Sequence, residues 1–78
     1  MKSKTIVFKS VNDLYSFNKE ATKCKTNIRV RTKSGTFDFD AKTLLGLFFA
    51  LNLPQLDVYY EDSEKEFDEF LNGLEASN

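Results

Sequence analysis

"IRVRTKSGTFDFD", residues 28–40, holds two alternating patterns joined by a turn. Ile28, Val30 and Thr32 alternate with Arg29 and Arg31, and Phe37 and Phe39 alternate with Asp38 and Asp40. Successive side chains of a strand point to opposite faces, so each half reads as a strand with one apolar face. Lys33-Ser34-Gly35 between them is turn chemistry, and the whole predicts a β-hairpin. An even-numbered loop centred on Ser34-Gly35 sets Val30 opposite Phe39 and Thr32 opposite Phe37. The same register sets Arg29 opposite Asp40 and Arg31 opposite Asp38. Apolar pairs then share one face and salt bridges the other. A slip of one residue would oppose Val30 to an aspartate and is rejected.

The flanking segments extend this sheet. Residues 4–9 read as a strand with Ile6 and Phe8 inward and Thr5 and Val7 outward. Ser10 followed by Asp13 resembles a capping box, and behind it Leu14, Phe17, Ala21 and Cys24 recur at helical spacing. Its other face carries Asn12, Lys19 and Lys23. "LDVYY" (56–60) is a fourth strand with Leu56, Val58 and Tyr60 inward. "SEKE" (63–66) reads as a capping box opening a last helix, with Phe67, Phe70, Leu71 and Leu74 as its inward stripe and a fraying tail "EASN". Strands with one polar face make an antiparallel sheet covered by helices on the other face. The class is α+β, a two-layer open-faced sandwich in the order βαββαβα, and the expected domain is a single one spanning residues 1–78.

"DAKTLLGLFFALNLP" (40–54) is the anomaly. Thr43 is placed as N-cap of a short helix over residues 44–51, and Pro54 ends the loop behind it. Leu44, Leu47 and Leu51 fall on one side and suit a core. Leu45, Phe48 and Phe49 cannot all join them: either they form an exposed apolar patch, or the helix is sunk deep and the first helix covers them.

Composition narrows the chemistry. The 78 residues carry 11 basic and 12 acidic side chains, a net charge of −1, and so no general attraction to nucleic acid or an anionic membrane. There is no histidine and one cysteine, which removes the commonest general base and the usual zinc and iron–sulfur ligand sets. No apolar run suits a signal peptide or a membrane span, and the expected location is the cytoplasm. Cys24 lies in line with a helix stripe and is expected as a buried small hydrophobe. Asp38 with Asp40, and Glu61-Asp62-Ser63-Glu64, lack the spacing of a cation loop and are expected as solvated charge. No cofactor, metal or catalytic residue is expected.

The element order, with Lys42-Thr43-Leu44-Leu45-Gly46-Leu47 opening the apolar helix, resembles the HPr family, the phosphocarrier proteins of the bacterial sugar phosphotransferase system. The family pattern there is Lys-Ser-[apolar]-[apolar]-Gly-[apolar]. Similarity of pattern extends back over residues 21–40 and forward over 61–76. The resemblance implies an antiparallel four-stranded sheet in the order 1-4-2-3 with three helices on one face. It departs at the chemistry. The family's phosphoryl-accepting Gly-[Leu/Ile]-His-Ala-Arg-Pro precedes its first helix, whereas "FKSVNDLY" (8–15) stands here. Thr43 matches a serine phosphorylated by a regulatory kinase in some family members. Positions matching Leu44, Leu45 and Phe48 form the family's partner-binding patch.

These observations predict a non-catalytic, HPr-like protein-interaction or regulatory domain. It would bind a protein partner, or itself, through Leu44, Leu45, Phe48 and Phe49. One alternative is a regulatory member switched by phosphorylation at Thr43. Another, of a different class, is a nucleic-acid binder using the open sheet face. That face would show Val7, Arg29, Arg31, Asp38, Asp40, Asp57 and Tyr59, and its one aromatic among acids makes a poor stacking platform.

Overall fold

The hairpin forms in the expected register. In the computed structural model, strand β2 (Arg29–Arg31) pairs antiparallel with β3 (Asp38–Asp40), with Arg29 opposite Asp40, Val30 opposite Phe39 and Arg31 opposite Asp38. The Thr32 amide donates to the Phe37 carbonyl at 3.1 Å, and Gly35 takes the left-handed conformation (φ 78°) that closes the turn. The charge pairing differs from expectation. Arg29 and Arg31 both grip Asp38, at 2.7 and 3.0 Å, while Asp40 accepts the Lys42 amide at 2.8 Å. Strand twist brings the diagonal neighbour within reach. Asp40, at the strand end, is captured by the local turn into the next helix. Phe37 lies before the edge strand and is exposed rather than inward.

The structure describes residues 1–51 and 55–75, with the side chains of Leu45 and Ala50 outside that description. The placement of Pro54 and the fraying of residues 76–78 therefore lie outside the described residues. Strand β1 (Lys2–Ile6) and strand β4 (Leu56–Tyr60) complete one antiparallel sheet in the order β1-β4-β2-β3, the order the resemblance implies. Leu56, Val58 and Tyr60 are buried as expected, and the alternate residues Asp57 and Tyr59 face the other side of the sheet. Strand β1 starts and stops earlier than predicted. Beyond Ile6 the Val7 amide turns to the Leu74 carbonyl (3.1 Å), and Ile6 bridges Glu75, so the first residue of the expected fraying tail is held. Phe8 remains buried.

Helix α1 (Val11–Lys23) is capped by Ser10, whose hydroxyl accepts the Asp13 amide at 3.3 Å. Leu14, Phe17 and Ala21 are buried, and Cys24 is the half-buried C-cap rather than a core residue. Helix α2 spans Leu44–Ala50 and helix α3 spans Lys65–Asn72. The expected Ser63 capping box does not form. Glu64 is the N-cap, without a side-chain capping bond, because its carboxylate accepts the Thr26 amide (2.9 Å) and hydroxyl (2.6 Å) instead. Two charge-assisted bonds across the fold outcompete one local cap. Phe67 and Leu71 are buried on α3, Leu74 is buried just past the helix end, and Phe70 is half-buried at the margin.

One apolar cluster fills the space between the sheet and the three helices on its covered face. A relay of rings runs through it, from Phe8 to Phe17 (5.3 Å between centroids), Phe17 to Phe67 (5.7 Å) and Phe67 to Tyr60 (5.7 Å). The Tyr60 hydroxyl reaches the edge and donates to Asp68, where Lys2 and Lys4 add charge at 3.7 and 3.8 Å.

Candidate interaction surface

Helix α2 is not stabilised by its own sequence. It has seven residues, no acid in its first turn and no base in its last. A helix so short does not persist in water, so packing must hold it. Leu47 is fully buried, and Leu44 and Leu51 are half-buried against the core. Gly46 lies against Phe39: a Cβ there would stand 3.0 Å from the ring's Cδ2 and 3.3 Å from Cγ. The glycine of the 42–47 motif thus lets the helix seat closely on the edge of the sheet.

The other side of α2 faces solvent. Phe48 is 39% and Phe49 60% exposed. Phe48 is not isolated: the ring of Tyr15, itself 49% exposed, meets it edge-on at 5.9 Å. Val11 lies one turn before Tyr15 on α1 and is 46% exposed. The sequence reading does not select Val11 and Tyr15. Their signal was present as an i, i+4 apolar pair lying off the Leu14–Phe17–Ala21 stripe. Leu44, read both as core and as patch margin, packs on the core cluster. The Leu45 side chain lies outside the described residues. Thr43 stands at the N-cap position, exposed, but its hydroxyl makes no capping bond.

At the start of α1, where the HPr family carries its phosphoryl acceptor, this chain places Ser10 and Asp13. Asp13 Oδ2 accepts the Lys9 amide at 2.9 Å while Ser10 takes the Asp13 amide.

Four further titratable groups are engaged in structure. Hydrogen bonds from Arg29 hold the Asp38 carboxyl below its ordinary range, with both arginine charges adding to the effect. The Thr26 bonds do the same for Glu64, and the Tyr60 hydroxyl for Asp68. Burial, followed by the charge of Glu64, pushes the Cys24 thiol up to about 11, the opposite of an activated nucleophile. No group of three metal-ligating side chains occurs among the described residues, and no buried side-chain polar atom there lacks a partner. An open cleft of about 920 Å³ lies beyond the sheet end, between Lys25–Asn27, Arg29, Tyr59 and Glu61–Ser63. Its lysine and arginine are offset by acids, and no residue of α2 lines it. No helix is long and apolar enough to cross a membrane, among the described residues.

No family model matches this sequence, and no curated protein does. Among solved structures the chain is similar to the crystal structure of HPr-C-His from Thermoanaerobacter tengcongensis. The TM-score is 0.71 at 20% identity, over 94% of this chain and 89% of that one. At that identity the likeness is one of fold, and the chain has an HPr-like α+β fold.

Proposed function

We propose that this chain is a non-catalytic protein-interaction or regulatory domain that acts through α2 and the adjoining face of α1. One observation carries the reading: Phe48 and Phe49 are exposed on a helix whose opposite side, through Leu47, is already committed to the core. Side chains this exposed contribute less to folding than buried ones, whereas a buried aromatic anchor is worth roughly 2 kcal/mol or more to an interface. The resemblance to HPr proteins supports the same element, since their partners meet the matching helix. The absence of histidine argues against phosphoryl transfer. The arginines of the open sheet face are bound by Asp38, which argues against nucleic acid. The test is Phe48→Gln. The denaturant midpoint should stay close to that of the parent chain, while retention of a partner in pull-down, or self-association in sedimentation, is lost. Unfolding of the variant, or binding undiminished by it, would overturn the proposal.

A second reading, regulation by phosphorylation of Thr43, is favoured by its exposed hydroxyl that makes no capping bond. Mapping phosphorylation sites on the protein isolated from its own cell tests it. An unmodified Thr43 under all growth conditions would count against it.

A further inference from the structure

We infer that Asn18 is a positioning residue that latches α2 to α1 and so holds the two halves of the aromatic surface together. Asn18 is half-buried on α1, and its side-chain amide donates to two successive carbonyls, Ala41 at 3.4 Å and Lys42 at 3.3 Å. These are the last two carbonyls before the N-cap of α2. A second tie runs the other way: the Lys42 ammonium donates at 3.2 Å to the carbonyl of Cys24, at the negative end of α1. Ala41 is itself fixed, fully buried with its amide on the Ile28 carbonyl at 2.9 Å.

The entry to α2 is thus bound to α1 at two points, one on the helix and one at its C-cap. A helix with neither a side-chain cap nor dipole-matched charges depends on such ties for its direction. Leu47 and Gly46 seat it by contact, and the two ties add directional bonds to that burial. Release of the latch leaves the sheet core intact and frees α2 to swing, which parts Phe48 from Tyr15. The consequence for a partner rests on the function proposed above. The latch itself does not, and its test uses no partner.

The experiment is amide hydrogen exchange, with the Tyr15–Phe48 ring–ring NOE, on the whole chain and on Asn18→Asp, which keeps the shape and removes the donor. Asn18→Ala and Lys42→Met loosen the same ties without placing a new acid in the helix, so a folding failure of Asn18→Asp decides nothing alone. The expected result is exchange faster by about tenfold at residues 47–51, a weakened NOE, and β4 amides that keep their protection. Three results would overturn the inference. One is an unchanged NOE and unchanged α2 exchange in all three variants. Another is equal acceleration of β4 and α2, which would make Asn18 a contributor to global stability only. The third is an α2 without protection in the parent chain.

Discussion

Phe67→Ala should remove the centre of the aromatic relay and much of the stability of the fold. Phe67 is 3% exposed, and its ring meets Phe17 and Tyr60 at 5.7 Å and Phe70 at 6.2 Å. Truncating a buried phenylalanine costs about 3–5 kcal/mol in lost transfer energy and cavity. A chain of this size has roughly 4–12 kcal/mol in total. Phe70 is the internal comparison. It belongs to the same helical stripe, but it is half-buried and its one ring neighbour is Phe67, stacked at 25°. Phe70→Ala should cost about 1–2 kcal/mol. Urea unfolding followed by far-UV circular dichroism measures both, and Phe67→Leu serves if the alanine variant does not fold. A cost for Phe67→Ala below about 1.5 kcal/mol, or no larger than that for Phe70→Ala, would refute the placement of α3 on the core.

Two further outcomes follow from the charges and from the glycine under α2. Glu64 and Asp68 are held below their ordinary values of 4.5 and 3.8 by hydrogen bonds, so each contributes stability that is complete above those values and is lost as pH falls through the lower folded ones. The urea midpoint should be level from about pH 7 to 5 and drop below about 4, and Glu64→Gln should make that acid limb shallower; an unchanged limb would mean that the Thr26 clamp does not act. Gly46→Val should destabilise by about 1–3 kcal/mol, because its branched side chain drives into the Phe39 ring. Combining it with Phe39→Ala should restore part of the loss in a double-mutant cycle, and strict additivity would show that the two residues do not share the space.

What the sequence determined by itself is what short-range periodicity can carry. The alternation of residues 28–32 and 36–40 leaves one register that keeps Val30 and Phe39 on a common face, and that register is observed. The inward sets Ile6 and Phe8, Leu14, Phe17 and Ala21, and Leu56, Val58 and Tyr60 were legible for the same reason, since periods of 2 and 3.6 are local properties. The resemblance at 42–47 supplied the sheet order, which alternation alone does not contain. Of the surface, the excess of apolar residues on α2 was readable, and Phe48 and Phe49 are exposed. Its second half shows in the sequence only as the apolar pair Val11 and Tyr15, and its join to α2 was not readable, because Tyr15 meets Phe48 only when α1 and α2 pack side by side. Tertiary structure also decided which of several competent partners each polar group takes. Glu64 had a local capping role within reach and took Thr26, 38 residues away in sequence. Asp38 took both arginines, and Glu75 left a fraying tail for a bridge to Ile6. A hydrogen-bonding side chain selects among all the donors the fold brings near it, and that competition is settled by distances that no local pattern encodes.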